Sequence, residues 1–225
     1  MARQFYDRLD LQSLNELDQT LYASLEKLET LYAGELRARR ADAEAGDLPR
    51  VRLHTSQGEI EIELFLDQAP SAVSHFLQKV EAGEYDGAEF IQVIEDTFAV
   101  AGDETRPIAD DAGRYLVDEH QREDHRAAVA GSVAMMKVPS DTEGNYHPNS
   151  ASHPFGIMLM PLPRISETHT VIGHVVDGMM TVAHLRRVNT AKTGKNEVVK
   201  PPDRIYRAEV IRRPESLPKP VYVGR

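Results

Sequence analysis

The spacing of apolar residues predicts a helix at the start of the chain. Apolar side chains recur every three or four positions, at Leu14, Leu17, Leu21, Leu25, Leu28, Tyr32 and Leu36. This spacing places them in a stripe along one side of a helix. Ser13 and Glu16 form a capping box, in which two side chains bind free backbone N–H groups at the helix start. We therefore predict a long α-helix over residues 13–43.

Beyond this helix, apolar and polar residues alternate, which predicts β-strands. Two hairpins are expected, over residues 51–64 and 90–101. A helix should begin at Pro70, because the missing N–H of proline costs little in the first helical turn. A second short helix over 178–188 should precede a last strand at 204–211. The pattern predicts a mainly-β domain with two helices.

The second hairpin also carries a recognisable motif. Residues 89–103 read Glu-Phe-Ile-Gln-Val-Ile-Glu-Asp-Thr-Phe-Ala-Val-Ala-Gly-Asp. They resemble the central motif of the cyclophilin-type peptidyl-prolyl isomerases, Phe-His-Arg-Val-Ile followed by Phe-Met-x-Gln-Gly-Gly-Asp. Residues 169–179 resemble that family's His-x-Val-Phe-Gly-x-Val-x-x-Gly-Met segment, and residues 69–76 its Ala-Pro-x-Thr-Val-x-Asn-Phe segment. The resemblance covers roughly residues 51–212.

This resemblance implies a closed, eight-stranded antiparallel barrel with two capping helices, preceded by the long N-terminal helix. We expect a helical extension and linker over residues 1–46, a barrel domain over 47–213, and an extended or loosely attached tail over 214–225. The apolar stripe of the 13–43 helix packs either on the chain's own barrel or in an interface with a second copy or a partner protein. The sequence leaves these alternatives open.

The resemblance further implies a peptidyl-prolyl cis-trans isomerase acting on X-Pro segments of proteins. In the family, an arginine donates a hydrogen bond to the prolyl nitrogen and weakens the amide resonance. Gln92 occupies that position here. Lys137, which stands where the family has asparagine, is an alternative donor, unless its side chain points to solvent. Gln92 and Lys137 are therefore the candidate catalytic residues.

The candidate substrate-binding residues follow from the same resemblance. They are Thr97, Phe98, Val100, Met136, Phe155, Ile165 and His169. Phe155 is expected to form the floor of the proline pocket and His169 its rim, while Arg164 replaces the family's cyclosporin-contacting tryptophan. Because most contact residues differ, we expect weakened catalysis. The alternatives are a non-catalytic binding or chaperone module with the barrel fold, and an interaction protein whose N-terminal helix carries the function.

Composition excludes several other classes of protein. The chain has no cysteine, which excludes disulfides, thiolate zinc sites and cysteine nucleophiles. His120 and His125 lie among acidic residues, but their spacing matches no metal motif, so we predict neither metal nor cofactor. The net charge of −10 opposes nucleic-acid binding. No apolar run approaches the roughly 20 residues of a membrane span. The compartment is left open between cytoplasm and, after loss of a signal peptide, periplasm.

Overall fold

A computed structural model describes residues 16–103, 114–142, 144–188 and 201–224. The chain divides into two compact units, Met1–Glu44 and Ala45–Arg225. The predicted helix start at Ser13 lies outside the described residues.

The N-terminal helix, α1, covers Glu16–Ala45, which is 30 residues. Of the predicted apolar stripe, Leu25, Leu28 and Tyr32 are partly buried and Leu36 is exposed. The side chains of the stripe residues before Leu25 lie outside the described part. Within the helix, the Arg39 guanidinium donates to the Glu35 carboxylate, one turn earlier, at 2.9 Å.

The second unit contains the β-strands and three further helices of the described chain. In order these are β1 (Arg50–Thr55), β2 (Gly58–Leu64), α2 (Pro70–Glu81), β3 (Glu89–Ile94), β4 (Phe98–Gly102), β5 (Arg114–Leu116), β6 (Ser132–Met135), β7 (Phe155–Met158), α3 (Pro163–Thr168), β8 (Val171–Asp177), α4 (Met179–Ala183), β9 (Ile205–Arg212) and β10 (Tyr222–Gly224). Both predicted hairpins are present, as β1–β2 and β3–β4.

Eight strands form one antiparallel sheet in the order β3-β4-β7-β6-β8-β2-β1-β9. The prediction of a closed barrel was wrong, because no continuous ladder joins the end strands β3 and β9. Two short segments cover the outer edge of β3 instead. One makes an isolated bridge between Glu89 and Arg204, and the other makes a bridge between Val93 and Val188. The sheet is therefore an open half-barrel whose last gap is spanned by single bridges.

Apolar side chains pack on both faces of the sheet at its centre. The main core contains Val133 and Met135 of β6 and Ile157 of β7. A second cluster contains the alternate residues Ala134 and Met158. The second cluster is completed by Phe65, Ala128 and Val171, with the partly buried Leu48, Phe98, Leu162 and Ile165 packed against it. Burial on both faces explains why β6 and β7 appear in the sequence as continuous apolar runs.

Two glycines allow β8 and its C-terminal turn to approach β2 closely. A Cβ atom at Gly173 would lie 2.3 Å from the carbonyl oxygen of Glu63. A Cβ atom at Gly178 would lie 2.3 Å from the carbonyl oxygen of Glu59, and Gly178 also has a φ of +90°. Any other residue would force the strands apart, and at Gly178 it would also strain the backbone. Glycine at these positions is a requirement of the fold.

The helix α4 is shorter than the predicted 178–188. It ends at Ala183. Just beyond it, the backbone N–H of Arg186 donates to the carboxylate of Asp203 at 2.7 Å. Asp203 is buried and also accepts hydrogen bonds from Ser56 and Gln57 in the β1–β2 turn. This tertiary hydrogen bond replaces a helical one, so the chain leaves the helix early.

The C-terminal tail is attached to the domain, so of the two alternatives, extended or loosely attached, the second is wrong. Its strand β10 pairs with β5 in a separate two-stranded sheet. The Tyr222 hydroxyl lies 2.9 Å from Nδ1 of His75 in α2. In addition, the Val221 N–H donates to the Ser71 hydroxyl at 2.7 Å. These contacts lie far apart in the sequence, which is why the local pattern did not indicate them.

Removing residues 1–44 should leave a protein that unfolds cooperatively, because the unit from Ala45 onwards contains the whole eight-stranded sheet and both apolar clusters. Circular dichroism during thermal unfolding of the truncated and full-length chains tests this. The reverse truncation, an isolated 1–44 peptide, is the comparison and should show no cooperative transition. A truncated 45–225 chain without a cooperative transition would contradict the prediction.

Candidate functional site

The centre of the candidate site is the β3–β4 hairpin. Gln92 pairs with Val100 across the two strands, next to a register shift between Phe90 and Gln92. Val100 in turn pairs with Gly156 of β7. Paired residues point to the same face of a sheet, and alternate residues of a strand share that face. Gln92, Phe98, Val100 and Gly156 therefore line one face, on which Gln92 and Phe98 are partly exposed.

Phe155 lies on the opposite face and does not contribute to this surface. It pairs with Ala101 and Met135, one residue out of phase with Val100. Its ring is fully buried in the main core and makes edge-to-face contacts with Phe76 and Tyr85, each with ring centroids 5.3 Å apart. The pocket floor expected at Phe155 is thus absent from that position, and Gly156 is the β7 residue that faces the site.

Two methionines occupy the space above Gly156. A Cβ atom there would lie 2.9 Å from Sδ of Met136 and 3.2 Å from Cε of Met158. Met136 is partly exposed, whereas Met158 is buried. Phe98 and Ile165, both partly exposed, pack against the cluster that contains Met158. With Met136 above Gly156, these side chains form an apolar surface on the face of the sheet that also carries Gln92. Met158 was not predicted, because the sequence around Pro154 gave no sign of which residue faces the site.

Thr97 lies in the turn that precedes β4. Its N–H donates to the carbonyl of Ile94 at 3.1 Å, and its hydroxyl donates to the carbonyl of Glu95 at 3.0 Å. The hydroxyl therefore supports the turn and orients the following Phe98. Its predicted role in substrate binding remains a proposal.

His169 directly follows α3 and is completely buried. Its Nδ1 lies 2.8 Å from the Thr168 hydroxyl, and the Tyr146 and His169 rings form a T-shaped pair with centroids 4.3 Å apart. Burial is the main cause that lowers the pKa of the imidazole to about 4, and the positive charge of Lys137 is the second. His169 is therefore neutral at pH 7. Tyr146 was missed in the sequence because nothing local distinguishes it from an ordinary loop residue.

Lys137 is held by a buried carboxylate. Its ammonium donates to Oδ2 of Asp118 at 2.6 Å, and the two side chains are 4% and 8% exposed. The same oxygen accepts the N–H of Asn149 at 2.8 Å, while the N–H of Asp118 donates to Oδ1 of Asn149 at 2.7 Å. Of the two alternatives left open for Lys137, exposure to solvent is therefore ruled out, and its ammonium is already bound to Asp118.

The burial of His169 should make stability depend on pH. Its pKa lies below the ordinary 6.5, so the unfolded chain takes up this proton first as the pH falls. The contribution of neutral His169 is complete above about pH 6.5 and is lost between 6.5 and about 4. The full loss is about 3 kcal/mol.

Urea unfolding of the wild type and of His169→Gln between pH 4 and 7 measures this loss. The wild type should lose more stability than the variant on acidification. His184→Gln, which changes an exposed histidine, is the control and should follow the wild type. Identical pH profiles for all three chains would contradict the assignment.

An eight-stranded antiparallel half-barrel of this kind is a cyclophilin-like fold. The family model of the "Cyclophilin type peptidyl-prolyl cis-trans isomerase/CLD" matches residues 50–210. The chain belongs to this family, as its motifs predicted.

Proteins of similar sequence agree with this assignment. The chain is 34% identical over 151 residues to "Peptidyl-prolyl cis-trans isomerase-like 1" of Rhizopus delemar, covering 65% of this chain and 84% of that protein. It is 31% identical over 169 residues to a "Probable peptidyl-prolyl cis-trans isomerase" of Brucella suis, covering 71% of this chain and 81% of that protein.

Solved structures show the same fold. A cyclophilin-type peptidyl-prolyl cis-trans isomerase of Cryptosporidium parvum matches with a TM-score of 0.60 and 23% identity, over 74% of this chain and 99% of that one. A structure of that protein in the presence of the dipeptide Ala-Pro matches with a TM-score of 0.58 and 24% identity, over 73% and 99%.

Two further observations concern the described residues alone. They contain no group of three or more histidine and carboxylate side chains arranged to hold a metal ion. Among the helices that the structure describes, none combines the length and apolar character needed to cross a bilayer.

Proposed function

We propose that the protein binds X-Pro segments of other proteins on the Gln92 face and catalyses their cis-trans isomerisation weakly, with Gln92 as the hydrogen-bond donor. The observation that carries this proposal is the position of Gln92. It is a partly exposed donor on the same face as Phe98 and Gly156, and Met136 lies over Gly156. Lys137, the other candidate, has its ammonium bound to Asp118 and buried.

The chemistry requires a donor to the prolyl nitrogen. Amide resonance imposes a barrier of about 18–20 kcal/mol on rotation. In the twisted transition state the nitrogen recovers its lone pair, so it accepts a hydrogen bond better than in the planar state, and such a bond lowers the barrier. The Gln92 amide can supply this bond but carries no charge. Charge-assisted hydrogen bonds are roughly twice as strong as neutral ones, so the proposed catalysis is weak.

The apolar surface would hold the proline ring. Met136, Phe98 and Ile165 are each partly exposed, and each can lose further apolar area to a bound ring. The methionine side chain is unbranched and adapts to irregular shapes. Support comes also from the Cryptosporidium relative, whose structure was determined in the presence of Ala-Pro.

A non-catalytic binding module is the second candidate. The specific observation in its favour is that the only donor offered on this face by β3, Gln92, is neutral, while the apolar surface for a proline ring is retained. Under this alternative, the protein holds proline-containing segments without changing their exchange rate.

Two measurements on one set of peptides separate these candidates. Calorimetry compares an X-Pro peptide with the matched X-Ala peptide, and NMR exchange spectroscopy measures cis-trans exchange of the X-Pro peptide with and without protein. We expect preferential X-Pro binding and a small acceleration. Binding without acceleration supports the second candidate, and equal binding of both peptides contradicts both.

A pair of variants locates the binding face. Met136→Asp places a charge on the proposed apolar surface and should abolish X-Pro binding. Met180→Asp changes a methionine of α4 that is 68% exposed and lies outside the proposed face, so binding should be unchanged. Loss of binding in both variants, or in neither, would show that the segment binds elsewhere.

A further inference from the structure

The hydrogen bonds around His169 determine which ring nitrogen carries its proton. The Thr168 hydroxyl donates its single proton to the carbonyl of Arg164 at 2.6 Å. The same hydroxyl oxygen lies 2.8 Å from Nδ1 of His169, so it must accept the Nδ1–H. Because the imidazole is neutral at pH 7, Nε2 then carries no proton and offers only a lone pair.

This lone pair is buried without a donor. Nε2 of His169 has no hydrogen-bond partner among the described residues, and the residue is 0% exposed. A buried acceptor that lacks a donor is costly, and such groups in native proteins call for a specific explanation. A ligand that brings an N–H group to this nitrogen would satisfy it.

Tyr146 lies against the same imidazole. It belongs to a small hairpin in which the N–H of His147 donates to the carbonyl of Val138 at 2.9 Å. The hairpin is fastened to α3 by a hydrogen bond from the Arg164 guanidinium to the carbonyl of Gly144 at 3.1 Å. This bond comes from an exposed side chain, so it opposes opening of the hairpin only weakly.

We propose that Tyr146 is a cover over a hydrogen-bond acceptor, and that a bound segment displaces Tyr146 and donates a backbone N–H to Nε2 of His169. This inference rests on the proposed function and adds a selection rule to it. Proline has no N–H, so the donor is the amide of a residue flanking the proline. The site therefore selects segments in which that flanking amide is free, and rejects those in which it is a second proline.

The cover is tested by Tyr146→Ala, with His147→Ala as the matched control in the same hairpin. Calorimetry with the X-Pro peptide should show binding tightened by at least about threefold in Tyr146→Ala, because the segment no longer has to displace the ring. The control should bind like the wild type. Weaker binding by Tyr146→Ala would show that Tyr146 contacts the bound segment, and would contradict its role as a cover over His169.

The acceptor is tested by methylating each flanking amide of the peptide in turn. One of the two N-methyl peptides should bind the wild type about tenfold more weakly than the parent. In His169→Leu, which has no acceptor, the same methylation should have little effect. An equal effect of methylation in both proteins overturns this inference alone. No binding of any X-Pro peptide overturns the inference together with the proposed function.

Thr168 acts as a positioning residue, and its role has a separate spectroscopic readout. Nitrogen-15 shifts of the His169 ring in the ligand-free protein at pH 7 should show the proton on Nδ1. Thr168→Ser keeps the hydroxyl and should keep this tautomer and the N-methyl effect, whereas Thr168→Val should lose both. A proton on Nε2 in the wild type would overturn the inference without any ligand.

Discussion

Replacement of Gln92 by Arg is expected to raise the catalysed isomerisation rate by about 100-fold. The loss of one preorganised transition-state donor typically costs about 10²–10³ in rate, and the wild type should therefore turn over at least about 100-fold more slowly than a cyclophilin that retains the arginine. Gln92 already lies on the partly exposed face shared with Phe98. A guanidinium there would supply a permanently charged donor at the same strand position. NMR exchange spectroscopy on an X-Pro peptide measures the effect.

Two controls decide whether the gain comes from the donor. Gln92→Leu removes the donor at similar size and should lose the remaining acceleration while keeping X-Pro binding. Lys137→Met should keep the wild-type acceleration in the fraction of protein that stays folded, because the Lys137 ammonium is bound to Asp118. Full family-level turnover that survives Gln92→Leu and disappears in Lys137→Met would identify Lys137 as the catalytic donor.

Lys137→Ala is expected to destabilise the protein by about 3–5 kcal/mol, because it leaves the Asp118 carboxylate buried without its cation. The carboxylate is 8% exposed, so water cannot replace the ammonium easily. The Asn149 N–H would remain as a donor to the same oxygen. Urea denaturation at pH 7 measures the change in the free energy of unfolding.

Lys79→Ala is the matched control. Lys79 also makes an ion pair, with Glu84 at 2.9 Å, but the two side chains are 16% and 23% exposed. Partly exposed pairs of this kind contribute about 1 kcal/mol or less. A loss in Lys137→Ala no larger than that in Lys79→Ala would show that the Lys137–Asp118 pair is hydrated in solution.

The Lys137–Asp118 pair also connects the two parts of the site. Lys137 follows Met136, which lies over Gly156, and its charge contributes to the low pKa of His169. Asp118 and Asn149 hold each other through reciprocal hydrogen bonds, and Asp118 binds the Lys137 ammonium. The pair therefore fixes the backbone next to Met136, whereas the neutrality of the His169 imidazole comes mainly from burial.

The sequence alone determined the elements that depend on local pattern. Alternation along residues 51–64 and 90–101 predicted the β1–β2 and β3–β4 hairpins, because successive side chains of a strand point to opposite faces. Pro70 correctly marked the beginning of α2. The motifs around the second hairpin and residues 169–179 were sufficient to indicate the family, since their glycines and apolar residues are required by the backbone geometry of the fold.

Only the tertiary structure decided which side chains meet at the site. Adjacent residues of a strand point to opposite faces, so an error of one residue in the expected register assigns each side chain to the wrong face. In the structure Phe155 lies in the core, and Gly156 faces Met136. The partners of Lys137 and His75 are Asp118 and Tyr222, which no local pattern connects to them. The sheet remains open because two short segments, rather than one strand, pair with the edge of β3. Such contacts depend on how distant segments pack in three dimensions, and the local sequence pattern does not predict that packing.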